Sequence, residues 1–114
     1  MTNNKITNIQ KNLKPEFWDK IINDMNEVIY NTNGTGKSAN PDISGLNVFG
    51  KTGTAENPHG NTHAWFVGWA EYNEENYSMV ILLENAGSGG SVAAPMARKI
   101  LKRMFNDIQV VKND

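Results

Sequence analysis

The chain has 114 residues with 11 Lys and Arg against 12 Asp and Glu, so its formal net charge of −1 gives no electrostatic case for nucleic acid or an anionic membrane. No cysteine is present, which excludes a disulfide framework and thiolate zinc sites. No apolar run reaches the ~18 residues of a membrane span, and no apolar segment of signal-peptide type follows Met1, so the length fits one domain or a piece of one.

Residues 1–14 show no period and read as a lead-in segment. Pro15 is suited to the first position of a helix, with Glu16 and Asp19 near its positive end. Trp18, Ile21, Ile22, Met25, Val28 and Ile29 then recur at helical spacing, giving one apolar face through about Tyr30. Helices of this kind bury such a stripe far more often than they offer it to a partner. Gly34-Thr35-Gly36-Lys37-Ser38 imitates the end of a phosphate-binding loop. The full pattern needs glycine where Asn31 stands, and it needs a helix afterwards, which Asn40-Pro41-Asp42 forbids. Nucleotide binding is therefore rejected, and the segment reads as a turn leading to a strand.

That strand is Val48-Phe49-Gly50-Lys51-Thr52-Gly53-Thr54-Ala55-Glu56, and its composition is odd. A strand that only fills a core uses Val, Ile and aromatics. Glycine in a strand packs nothing and often marks the close approach of another backbone or a ligand. Lys51 brings a positive charge and three donors, and Thr52 and Thr54 bring hydroxyls, a set suited to a carboxylate-bearing, peptide-like ligand. The plainer reading is a polar edge strand whose Lys discourages aggregation. From these residues alone the two stand level. Period-2 alternation puts Thr52 and Thr54 on one face and Lys51 on the other. All three can serve one ligand only along the strand's rim, which requires an edge open to an added extended peptide.

Asn57-Pro58-His59-Gly60-Asn61 reads as a loop. Strands follow over Ala64–Tyr72 and Tyr77–Glu84, each apolar on both faces and therefore in need of cover on both. Their short connections make an antiparallel meander. After the turn Asn85–Ser91, a helix is expected over Val92–Asn106 with Ala93, Met96, Ala97, Ile100, Leu101 and Met104 buried. Its Arg98, Lys99, Lys102 and Arg103 read as a solvated face near the negative helix end. Residues 107–114 read as a frayed tail. The fold class is α/β of the α+β type: a three-stranded antiparallel sheet with flanking helices.

His59 and His63, with Glu56 nearby, have a spacing that converges on a metal only in a helix, and Pro58 and Gly60 make this a loop. No metal site is expected. No serine has a lysine three positions later, and Ser38-Ala39-Asn40 is too common a tripeptide to carry weight. The residues supply donors and a cradle without an activated nucleophile.

Gly50-Lys51-Thr52-Gly53-Thr54-Ala55-Glu56 followed by His63-Ala64-Trp65-Phe66-Val67-Gly68 resembles the last part of a penicillin-binding protein transpeptidase domain. Glu84-Asn85, Ser91-Val92-Ala93-Ala94-Pro95 and Gly34-Thr35-Gly36 fit the same order. The resemblance runs from about Pro15 to Phe105 and is closest to the class B, penicillin-binding protein 2-like enzymes; Lys-Thr-Gly is a recognised motif of this superfamily. It implies serine acyl transfer that cross-links peptidoglycan, without a cofactor, on D-Ala-D-Ala stem peptides, with β-lactams trapping the serine. Lys51, Thr52, Gly53 and Thr54 would then form the substrate-binding strand. Lys51 would shape the electrostatics of catalysis, and the Thr54 backbone N–H would be an oxyanion donor.

The family's Ser-x-x-Lys and Ser-x-Asn lie well upstream of this strand. The expectation is a C-terminal portion, residues 15–106, that is inactive alone and partners the N-terminal remainder of its domain. That remainder would add strands beside the third strand and cover one apolar sheet face. The isolated chain is expected to be weakly stable or to self-associate. The parent would work at the extracytoplasmic face of the bacterial cytoplasmic membrane. A non-catalytic interaction module that kept the scaffold is the alternative.

Overall fold

The computed structural model describes the backbone of residues 9–112 and the side-chain surroundings of residues 11–106; the start of the lead-in segment lies outside the described residues. After a short 3-10 turn at Ile9–Asn12, helix α1 spans Pro15–Tyr30, strand β1 Asn47–Ala55, β2 His63–Tyr72 and β3 Glu75–Leu83, and helix α2 spans Ala94–Lys112. The three strands form an antiparallel sheet in the order β1-β2-β3. The expected fold class is therefore found.

Pro15 opens α1 and Glu16 lies in its first turn, as the sequence suggests. The apolar stripe is only partly used. Ile29 is buried and Trp18, Ile21, Met25 and Val28 are half-buried, but Ile22 turns outward. The Gly34–Ser38 segment forms turns and then a 3-10 turn at Lys37–Ala39, with no helix of the kind a phosphate-binding loop requires.

The core lies on one face of the sheet. Phe66, Ala70 and Tyr72 of β2 and Ile81 of β3 pack with Ala94, Ala97, Leu101 and Phe105 of α2. The Phe105 ring is 5.4 Å from Tyr72 and 5.3 Å, edge-on, from Tyr77. These contacts correct the expected helix face: Ile100 and Met104 are exposed, while Ala94 and Phe105 are buried. The stripe Ala94, Ala97, Leu101, Phe105 keeps helical spacing but is rotated from the one expected. A large ring lying between two tyrosines buries more area than Met104 would there. The helix also starts differently. A wide turn at Gly89–Ala93, in which the Ala94 N–H bonds to the Gly89 carbonyl, precedes α2. The helical backbone then continues to Lys112, through the segment read as a frayed tail.

The opposite sheet face is sparsely covered. Phe49 stacks on its cross-strand partner Trp69 at 4.7 Å. Beyond that pair, Val67 sits opposite Val80 and Trp65 opposite Leu82. Val67, Val80 and Leu82 are 38%, 68% and 42% exposed, the marks of an apolar face without a layer over it.

Candidate functional site

The site grows out of β1, an edge strand of the sheet. At Val48 the edge is already occupied. Its N–H donates to the Tyr30 hydroxyl at 2.9 Å, and its carbonyl accepts from Asn26 Nδ2 at 3.2 Å. The same Tyr30 hydroxyl donates to the Leu46 carbonyl at 3.3 Å. Burial pushes the Tyr30 phenol above its ordinary value, and the Val48 N–H works in the other direction.

Because Val48 turns its backbone groups away from β2, the alternation of an antiparallel ladder turns those of Gly50, Thr52 and Thr54 the same way. The pairing runs without a break from Asn47 to Ala55, so the alternation holds along the strand. The rim past Val48 therefore presents backbone N–H and C=O groups outward, and one of them is the Thr54 N–H.

The side chains meet at this rim. Lys51 leaves from the sparsely covered face, yet its Nζ donates to the Thr52 carbonyl at 2.9 Å and so reaches the edge. Thr52 and Thr54 leave from the core face. The Thr52 hydroxyl donates to Thr35 Oγ1 at 2.9 Å, and Thr54 Oγ1 accepts the Gly89 N–H at 3.1 Å. Lys51 and Thr54 are exposed and Thr52 is half-buried, so a ligand can reach all three. A cleft of about 370 Å³ runs from Lys51 and Thr35 past Val28 to Glu27 and Asp24 on α1. A second cleft of about 600 Å³ lies beyond the other end of the strand, lined by Glu56, Asn57, Pro58 and Thr62.

The glycine at Gly50 is required by the Phe66 ring, into which a Cβ there would run, and the glycine at Gly89 is required by the strand itself. A Cβ on Gly89 would stand 2.5 Å from the Gly53 carbonyl oxygen, so the turn before α2 lies directly on the strand backbone. The close approach signalled by a glycine in a strand is made here by this chain itself.

The loop after β1 is tied to the turn after β3. Thr62 donates through Oγ1 to the Gly87 carbonyl at 2.7 Å and accepts the Gly87 N–H at its own carbonyl at 3.1 Å. Asn57 Nδ2 donates to Asn85 Oδ1 and to the Asn61 carbonyl. His63 Nδ1 accepts the Asn85 N–H at 3.0 Å, which leaves its proton on Nε2 when the ring is neutral. His59 is exposed, and among the described residues no group of three or more metal-ligating side chains comes together. Thr35, Gly89, Asn26 and Tyr30 were not singled out from sequence. Their only signals were the Gly34-Thr35-Gly36 turn and the glycines before α2, and nothing in spacing ties Thr35 to Thr52.

Comparison with known proteins points one way. The family model described as penicillin binding protein transpeptidase domain matches residues 3–102. A curated relative, the peptidoglycan D,D-transpeptidase MrdA of Haemophilus influenzae, is 38% identical over 82% of this chain. The same named protein of Salmonella typhimurium is 39% identical over 39% of the chain. Among solved structures, Pseudomonas aeruginosa PBP2 superposes with a TM-score of 0.65 at 30% identity, over 78% of this chain and 19% of that one. The D,D-transpeptidase domain of a peptidoglycan glycosyltransferase from Eggerthella lenta gives 0.58 at 33% identity, over 76% and 19%. The chain spans 16% of the length of the Haemophilus relative.

Proposed function

This chain belongs to the penicillin-binding protein transpeptidase family, and from that premise we propose that it forms one wall of a peptidoglycan D,D-transpeptidase site of the class B, penicillin-binding protein 2-like kind. The observation that carries this reading is the open rim of β1, where Lys51 Nζ reaches the Thr52 carbonyl and the Thr54 N–H turns outward.

A stem peptide ending in D-Ala-D-Ala adds along that rim as an extended strand. Its terminal carboxylate takes hydrogen bonds from the Thr52 and Thr54 hydroxyls, with the Lys51 ammonium alongside; bonds to an ionised partner are roughly twice as strong as neutral ones. A serine from outside these 114 residues attacks the carbonyl carbon of the penultimate D-Ala. The carbonyl oxygen becomes an oxyanion held by the Thr54 N–H and by the serine's own N–H. Collapse breaks the amide bond and releases the last D-Ala as its protonated amine. An amine of a neighbouring stem peptide then attacks the acyl-serine, forming the cross-link and freeing the serine. A β-lactam follows the first half and stops at the acyl-enzyme.

In this reading the rest of the domain supplies the nucleophile, extends the sheet beside β3, and covers Trp65, Val67, Val80 and Leu82. The parent protein works at the extracytoplasmic face of the cytoplasmic membrane. Among the described residues, no helix is long and apolar enough to cross a membrane.

The test is labelling with a fluorescent penicillin of two proteins: the 114-residue chain and the same reading frame extended upstream through a Ser-x-x-Lys. The extended protein is expected to form a covalent adduct and the chain alone none. A labelled chain overturns the assignment of the serine to elsewhere. An extended frame without the motif leaves a non-catalytic interaction module in its place.

A further inference from the structure

We infer that Thr35 is a positioning residue that sets the direction in which Thr52 presents its hydroxyl proton to a ligand carboxylate. The inference rests on the functional reading above and deepens it.

A hydroxyl has one proton to give and two lone pairs to offer. In the structure Thr52 gives its proton to Thr35 Oγ1 at 2.9 Å. To donate to a carboxylate, Thr52 must release that acceptor, and Thr35 must then rotate its own proton onto Thr52 Oγ1. The same oxygen–oxygen separation serves both directions. Thr52 therefore keeps a hydrogen bond on its inner side while its proton turns outward. Thr54 is prepared in the same sense without a switch, because the Gly89 N–H already fills one of its lone pairs. The two hydroxyls thus become a matched pair of donors, one set by a backbone N–H and the other by Thr35.

The position of Thr35 is fixed from two directions. The Gly36 N–H donates to the Val28 carbonyl at 3.0 Å, which anchors the turn to α1. On the other side, a Cβ on Gly90 would stand 2.8 Å from the Thr35 carbonyl oxygen, so the turn before α2 lies against it. Thr35 is also exposed, which leaves its hydroxyl rotor able to turn when a ligand arrives. The cleft that includes Lys51 is lined by Thr35 as well, so the switch and the cation share one opening.

The test uses the upstream-extended protein with Thr35→Val, which keeps the shape and removes the hydroxyl, and Thr35→Ser, which keeps the hydroxyl. Each is reacted with a fluorescent penicillin bearing a free carboxylate and with its carboxylate methyl ester, and thermal melting is recorded alongside. Thr35→Val is expected to lower the acylation constant for the acid about tenfold and to leave the ester within roughly twofold, because only the acid makes the charge-assisted bond. Thr35→Ser is expected to restore the acid reaction. Equal losses for acid and ester, or no rescue by serine, overturn the inference and leave the functional reading standing. Failure of the unsubstituted protein to label overturns that reading and this inference with it.

Discussion

Thr54 Oγ1 accepts the backbone N–H of Gly89 at 3.1 Å across 35 residues of sequence, so the exposed end of β1 is tied to the turn that begins α2. This bond ties the exposed rim of the strand to a turn whose Gly89 is buried, so the edge is held in place. Its inner neighbour is the stack of Gly89 on Gly53, where backbone lies on backbone.

Gly89→Ala is the direct probe of that stack. The added methyl would stand 2.5 Å from the Gly53 carbonyl oxygen, a distance that forces one segment to move. Overpacking of this kind typically costs about 1–3 kcal/mol. A lowered melting temperature together with weakened ligand capture by the extended protein is expected. An unchanged melting temperature would show that the turn does not press on the strand.

Thr54→Pro separates the backbone role of Thr54 from its ladder role. Proline is tolerated on an edge strand where the missing N–H faces outward. Loss of an oxyanion donor typically lowers the rate by ~10²–10³. Acylation of the extended protein should therefore fall by about that factor with the circular dichroism intact, while Thr54→Val, which keeps the N–H, falls less. Collapse of the sheet in the proline variant would place this N–H in the ladder instead.

Lys51→Met removes a cation that donates to the neighbouring Thr52 carbonyl at 2.9 Å. Stability should change by less than about 0.5 kcal/mol, as for other surface sites. Capture of carboxylate-bearing ligands by the extended protein should drop by roughly tenfold or more, and added salt should narrow the difference. Equal affinity in titrations of the two proteins would remove Lys51 from the site.

Tyr30 links α1 to β1 through one oxygen that accepts from the Val48 N–H and donates to the Leu46 carbonyl. Tyr30→Phe leaves both groups without that partner, at a cost of about 1–3 kcal/mol in urea unfolding. Burial raises the phenol's pKa from its ordinary 10.0, so the neutral form is favoured in the folded state. The corresponding stability is complete below pH 10.0 and is lost as the pH climbs through the raised folded-state value. Unfolding measured between neutral and strongly alkaline pH should show this loss in the parent chain, and a smaller one in Tyr30→Phe.

Val80 and Leu82 stand 68% and 42% exposed on a face that also carries Val67. The chain alone should self-associate through this face, since contiguous apolar patches of this kind are usually buried somewhere. Sedimentation velocity should show concentration-dependent association that Val80→Glu with Leu82→Lys abolishes. A monomer at high concentration in the parent chain would count against it.

Much of the architecture was legible in the sequence because local rules determine it. Pro15 and the Asn31–Gly34 turn bound α1, and the apolar runs on either side of the polar turn at Asn73-Glu74 give β2 and β3. The α2 face was legible only in period. Choosing Phe105 over Met104 depends on Tyr72 and Tyr77, which are remote in sequence and meet the helix only after the sheet forms. The candidate site divides in the same way. Lys51, Thr52 and Thr54 stood out because their chemistry does not suit a core strand. Thr35 and Gly89 did not, because each is an ordinary turn residue until folding sets it beside a threonine of β1.

By itself the sequence determined that a short strand carries a cation and two hydroxyls on opposite faces, because side chains alternate with a period fixed by backbone geometry. It also determined that this strand had to be an edge if those groups were to act together. Only the tertiary structure decided that the edge is open past Val48, and that Lys51 bends round to the Thr52 carbonyl. It also decided which groups hold the two hydroxyls. Hydrogen bonds between segments distant in sequence leave no periodic trace, because their partners are chosen by the packing of α1 and α2 against the sheet.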